Sequence, residues 1–211
     1  MLNEIVLIAF YIAILLYSVI IHEVAHGVAA LALGDPTAKY AGRLTANPVR
    51  HIDPWMTIGL PVMMLLLTNF KFAFGGAKPV PYNPYNLKNQ KWGPAIVGAA
   101  GPLTNLLIVV IFGTLIRLSS TFSLLPVAFF QLASLIVFIN LILAVLNLIP
   151  IPPLDGSRLL SAFLPFRWQK IQYTLERYSF IFVIIFIFFV WPYTFLPIVS
   201  FLFKLITGLT I

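Results

Sequence analysis

Cysteine is absent from all 211 residues, so neither a disulfide nor a thiolate metal ligand is available. Charge is scarce as well. Asp, Glu, Lys and Arg make up 9% of the chain against 61% hydrophobic residues, and mean hydropathy is +1.01. That is too little polar material to coat a soluble domain, and composition alone points to a polytopic membrane protein. Acidic residues are the rarer sign, 6 against 13 Lys and Arg, and the net charge of +7 is spread over the segments between apolar runs. Spread in this way it orients a chain in a bilayer and meets anionic lipid, whereas nucleic-acid binding is not expected. Histidine occurs 3 times, so a metal site has few imidazoles to draw on. The first apolar run has no basic n-region and no small-x-small cleavage site, and is read as a retained helix rather than a signal peptide.

What is present is a succession of apolar runs. The first covers 5–33 and stops at Gly34-Asp35-Pro36, a glycine and a proline that end a helix. Residues 37–53 are polar, and their alternation suggests a short strand or hairpin at the membrane surface. The run 55–68 contains Pro61 and is short for a crossing. A loop rich in lysine, proline and glycine follows over 69–92, with Lys78-Pro79-Val80-Pro81 extended. Spans of full length come at 93–118, where Gly98, Gly101 and Asn105 share a face, and at 126–149, which Pro150, Pro152 and Pro153 bring to an end. A more polar connection over 154–179 leads to a final apolar stretch, 178–211, whose Pro192 and Pro197 leave one or two passes open. The expected fold is an all-α polytopic membrane protein of about five transmembrane helices, within a range of four to six, with a re-entrant segment and a short surface hairpin. It forms a single membrane domain, its core at about 5–160.

Three ionisable residues interrupt the first run in His22-Glu23-Val24-Ala25-His26. An ionisable group at the centre of a membrane helix costs about 2.5–3.5 kcal/mol even on the gentlest scale, so three together need a partner. In a helix His22 and His26 lie four apart on one face with Glu23 beside them, the H-E-x-x-H geometry in which both imidazoles bind one zinc ion and the carboxylate serves as base. Two ligands are too few, since catalytic zinc takes three from the protein. The remaining candidates are Glu4, Asp35, His51, Asp53, Asp155 and Glu176, and all but Asp155 lie in aqueous or terminal stretches. Asp155 follows the proline-rich end of a full span, where backbone held out of a helix at membrane depth must line a cavity. Its alternative is a simple helix cap. His51 is read as a loop residue partnered by Asp53.

Together, His22-Glu23-x-x-His26, the helix carrying Gly101-Pro102-Leu103-Thr104-Asn105, and the stretch from Asn147 to Leu154-Asp155-Gly156 resemble the site-2 protease family of intramembrane zinc metalloproteases. Three motifs in the right order make the resemblance specific, and it spans most of the chain. It is similar to a compact branch without PDZ-like or CBS-like domains. The resemblance implies one zinc ion per chain held by His22, His26 and Asp155, Glu23 as the catalytic carboxylate, and Asn105 and Asn147 as holders of the substrate backbone. For each asparagine, a hydrogen bond to a neighbouring helix is the alternative.

The reaction so implied is hydrolysis of a peptide bond in or near a transmembrane segment of a membrane protein, with the lipid bilayer as the other partner. Two rivals come from other classes. A metal transporter predicts paired broken helices in an internal repeat, and no repeat is found. A non-catalytic homologue that only binds membrane proteins has no use for Glu23. Charge sets the expected orientation. With 55–68 re-entrant, Lys39, Arg43, Arg50, Lys71, Lys78, Lys88, Lys91, Arg158, Arg167, Lys170 and Arg177 fall on one side, and Arg117 on the other. The positive-inside rule then places the active site toward the cytoplasm of a cell membrane.

Overall fold

A computed structural model describes residues 4–67, 69, 75–122, 126–164, 174–175 and 177–210. Lys71, Arg167, Lys170 and Glu176, which enter the readings above, lie outside the described residues. Helix α1 runs over Glu4–Ala32. It ends where Gly34 takes a left-handed φ of 106° and the amide of Asp35 turns back to Ala30 O at 2.9 Å.

The surface hairpin expected over 37–53 is not formed. Thr37–Tyr40 is instead a short helix, α2, and Pro48–Arg50 a 3₁₀ turn capped by Asn47. The amides of Tyr40, Ala41 and Arg43 are spent locally on Pro36 O, Thr37 O and Ala38 O, all at 3.0 Å, so none is left to pair with a second strand. Asp35 sets the turn by accepting hydrogen bonds from the Thr37 amide and hydroxyl.

Asp53 caps the next helical segment by accepting from the amides of Trp55 and Met56 at 2.9 and 2.8 Å. This segment is a π-helical turn over Pro54–Gly59 that continues as α3, Leu60–Leu67. At 1.5 Å per residue it reaches about 20 Å, short of the ~30 Å hydrocarbon core. Its entrance and exit are tied together. Gly76 N donates to Met56 O at 3.1 Å, Thr57 Oγ1 to Gly76 O at 2.8 Å, and Lys78 N to His51 O at 2.9 Å. The chain therefore returns to the side it left, as a re-entrant segment must. After a stretch without helix or strand over 75–83 and a 3₁₀ turn at Pro84–Asn86, Lys88 N bonds to Leu33 O at 2.9 Å. The whole excursion after α1 closes beside the point where it began.

Helices α4, Gly93–Phe122, and α5, Val127–Asn147, come next, followed by the short α6, Gly156–Phe163. The C-terminal stretch is continuous: α7, Ser179–Ile185, passes through a π-helical segment, Phe186–Phe195, into α8, Leu196–Thr207. It makes one pass, which decides the question Pro192 and Pro197 left open. Among the described residues four helices are long and apolar enough to cross a membrane, Val6–Ala32, Gly93–Ser119, Val127–Asn147 and Phe189–Thr207.

α4 occupies the middle of the bundle. Toward its C-terminal end Val109 and Ile116 pack with Val137 and Leu141 of α5 and Val199 and Phe203 of α8. In lipid such contacts hold by close packing rather than by exclusion of water. Arg117 donates to Leu205 O at 2.9 Å, which brings the ends of α4 and α8 together. The opposite half of α4 faces α1 and α6, where the polar residues gather.

Candidate metal centre

His22, His26 and Asp155 converge. His22 Nε2 lies 3.0 Å from Asp155 Oδ2, His26 Nε2 lies 3.1 Å from the same oxygen, and the two nitrogens are 3.1 Å apart. All three residues are buried, and they are the one such cluster of His, Asp and Glu among the described residues. Counted from the end of α1 at Ala32, the two histidines sit roughly 9–15 Å down the helix.

The outer ring nitrogens fix the proton positions. His26 Nδ1 faces Val97 O at 2.6 Å. A carbonyl oxygen only accepts, so Nδ1 carries the hydrogen and Nε2 presents a lone pair. His22 Nδ1 faces Asn105 Oδ1 and has the same tautomer. In the neutral imidazoles that a metal takes, two Nε2 lone pairs and a carboxylate oxygen thus meet within 3.1 Å. Such a meeting is repulsive unless a cation joins it. The edges are close to the spacing of about 3.3 Å between ligand atoms in a tetrahedron of 2.0–2.1 Å bonds. Room is kept by Gly101 of α4, where a Cβ would stand 2.5 Å from both Nε2 atoms. Donor set, spacing and cradle fit zinc.

Asp155 is set by a backbone turn. After α5 the chain folds over itself through 148–155, and Gly156 lies so close to the carbonyls of Leu148 and Ile149 that a Cβ would come within 2.4 Å of each oxygen. The other Asp155 oxygen, Oδ1, pairs with Arg158 Nη1 at 3.2 Å, and the Arg158 guanidinium lies over the Tyr82 ring.

Glu23 is half-buried next to the cluster, and its Oε2 accepts a hydrogen bond from Val80 N at 2.8 Å. Arg43 holds the same segment by donating to Lys78 O and Pro79 O. His51 is not partnered by Asp53: its Nε2 donates to Thr45 O at 2.8 Å, because Asp53 is engaged as the cap. Asn105 is fully buried, with its oxygen on His22 and its Nδ2 on Asn140 Oδ1 at 2.7 Å. Asn147 donates to Leu143 O of its own helix at 2.9 Å. Sequence reading missed Asn140 and Ser18, although Ser18, His22 and His26 form an i, i+4, i+8 polar stripe on α1 that could have flagged the serine.

Residues 123–190, which include Asn147 and Asp155, match the sequence model of "Peptidase family M50". The chain is 34% identical over 187 residues to the "Putative zinc metalloprotease YwhC" of Bacillus subtilis, covering 86% of this chain and 81% of that protein. The chain belongs to the site-2 protease family. The "Putative zinc metalloprotease Rip2" of Mycolicibacterium smegmatis is 31% identical over 170 residues, and that of Mycobacterium tuberculosis 27%. Each alignment covers 81% of this chain and 63% of the relative, so this site-2 protease spans less than two thirds of Rip2. No solved structure matches it. Membership implies zinc, consistent with the donor set already described.

Proposed function

We propose that the chain is an intramembrane zinc endopeptidase that cuts a membrane protein in or near a transmembrane helix. One observation carries the proposal: two lone-pair imidazoles and a carboxylate meet around a glycine cradle, inside a helix apolar enough to span a bilayer. His22, His26 and Asp155 hold one zinc ion per chain, which supplies Lewis acidity to polarise a carbonyl and make water nucleophilic near neutral pH. Glu23 takes the proton from that water and delivers it to the leaving amine, with the Val80 amide keeping its carboxylate in place. A transmembrane helix hides its carbonyls in its own hydrogen bonds, so the substrate must be unwound locally. Asn147, whose present bond is to its own helix, is the side chain proposed to hold the substrate backbone. The charge distribution supports a cell-membrane protein whose site opens to the cytoplasm.

The test is Glu23→Gln in the full chain, reconstituted in lipid with a candidate membrane protein. Expected are normal folding, one zinc per chain and no cleavage, with the uncut partner retained on the variant. Cleavage at the wild-type rate would remove Glu23 from the mechanism. Alanine at His22, His26 or Asp155 should empty the site, whereas His51→Ala should keep the zinc. Full zinc in Asp155→Ala would overturn the third ligand.

A further inference from the structure

Behind His22 lies a chain of buried polar side chains in the middle of the bundle. Asn140 of α5 and Asn105 of α4 are both fully buried, and Ser18 of α1 is 5% exposed. Asn140 Nδ2 donates to Ile136 O at 2.8 Å and to Ser18 Oγ at 2.9 Å. Because Ile136 O can only accept, the amide of Asn140 has one orientation, with Oδ1 turned to Asn105. There it accepts from Asn105 Nδ2 at 2.7 Å, which turns Asn105 Oδ1 onto His22 Nδ1. Asn105 Nδ2 also lies 3.5 Å from Ser18 O, which favours the same orientation, and Asn105 in turn fixes which nitrogen of His22 carries the hydrogen.

We propose that Asn140 and Ser18, acting through Asn105, are positioning residues of the metal centre: the relay Ile136 O–Asn140–Asn105–His22 locks His22 in the tautomer and ring orientation that turn the Nε2 lone pair toward His26 and Asp155. An asparagine serving only as a link between helices needs one partner. Asn140 Nδ2 holds both Ile136 O and Ser18 Oγ, and from Asn140 the bonds run in series through Asn105 to a ligand nitrogen, across three helices. Partners of a metal-bound histidine commonly change metal affinity by 10- to 100-fold. Asn105 is thereby directed at the metal ligand and away from substrate.

The inference rests on the zinc reading, and the two fail differently. A wild-type chain that binds no zinc sinks both, while zinc bound equally well by wild type and Asn140→Leu sinks only this one. The measurement is zinc affinity of the purified full chain by competition with a chromophoric chelator, beside thermal unfolding of the zinc-free protein. Asn105→Leu should weaken zinc by about 10- to 100-fold. Asn140→Leu should weaken it by a smaller factor, and the double variant should match Asn105→Leu, because residues in one relay are not additive. Additive losses would overturn the relay. So would unchanged affinity in Asn140→Leu with lower stability of the zinc-free protein, the signature of a helix link alone. If Asn140→Leu does not fold, Ser18→Ala carries the test, with a loss smaller than that of Asn105→Leu expected and unchanged affinity overturning the proposal.

Discussion

At Gly101 a hydrogen atom stands where any other residue would put a carbon 2.5 Å from His22 Nε2 and His26 Nε2. Gly101→Ala adds the smallest possible side chain to an interior helix position where alanine is a good helix former. The expected outcome is a helical, folded protein that has lost most of its zinc, read by metal analysis beside circular dichroism. Normal zinc content would mean that the imidazoles have another place for the ion. A second residue-scale prediction concerns Asp35, fully buried at the end of α1. Burial disfavours its charge, but hydrogen bonds from Thr37, Asn86 and the Asn83 amide outweigh burial and depress its pKa below the ordinary value. A depressed carboxyl contributes stability that is complete above the unfolded-state pKa of about 3.9 and is lost as pH falls toward the folded one. Thermal stability should therefore drop below about pH 4, and Asp35→Asn should be less stable at neutral pH with a flatter acid dependence. His22, Glu23 and His26 were legible in the sequence because helical spacing alone puts them together. Asn140 was not, since one asparagine in a membrane span has the same sequence signal whether it links helices or steers a ligand.

Among the elements, two irregular segments carry the site. The turn over 148–155 was legible from its prolines, which exclude helix and leave backbone that must line protein. Its tightness at Gly156 was not, because close approach to Leu148 O and Ile149 O is a tertiary fact. The sequence places Lys78-Pro79-Val80-Pro81 outside any helix from X-Pro geometry. The use of the segment over 75–83 was hidden: Gly76 and Lys78 turn their amides to the re-entrant segment, and Val80 turns its amide to Glu23. Arg43, buried and bonded to Lys78 O and Pro79 O, holds this register. Arg43→Ala should leave zinc bound but lower kcat by about 10- to 100-fold, the scale of a misplacement of order 1 Å. Arg43→Lys, which keeps the charge but not the forked donor, should recover part of the rate. Equal zinc with unchanged kcat would remove Arg43 from the positioning of Glu23. The failed hairpin over 37–53 has a local cause as well. Alternation was read as strand, but Asp35 and Pro36 start a helical turn that consumes the amides a strand would need.

For the molecule as a whole the open question is sidedness, and the metal centre constrains it. His22 and His26 lie toward the C-terminal end of α1, and Asp155 lies just past α5. Their meeting requires an even number of crossings between them, which α4 and α5 supply only if Pro54–Leu67 does not cross. The bond from Lys88 N to Leu33 O and the ties between 51–57 and 76–78 reach the same parity without reference to the site. The single C-terminal pass adds Lys204 to the side of Arg117, since Arg117 reaches Leu205 O. Two cations then face eleven, a bias that under the positive-inside rule supports the proposed cytoplasmic opening of the metal centre. Absence of native cysteine lets single cysteines report without background. Asn86 is a poor probe because its side chain bonds to Asp35, whereas Tyr85 and Val49 are 82% and 72% exposed. In intact cells an impermeant thiol reagent should label Ser120→Cys and Thr210→Cys, while Tyr85→Cys and Val49→Cys should react only after the membrane is opened. Labelling of Tyr85→Cys and Val49→Cys from outside, with Ser120→Cys protected, would invert the orientation and leave the fold intact. Labelling of Val49→Cys and Tyr85→Cys from opposite sides would mean that Pro54–Leu67 crosses, which the bond from Lys78 N to His51 O forbids.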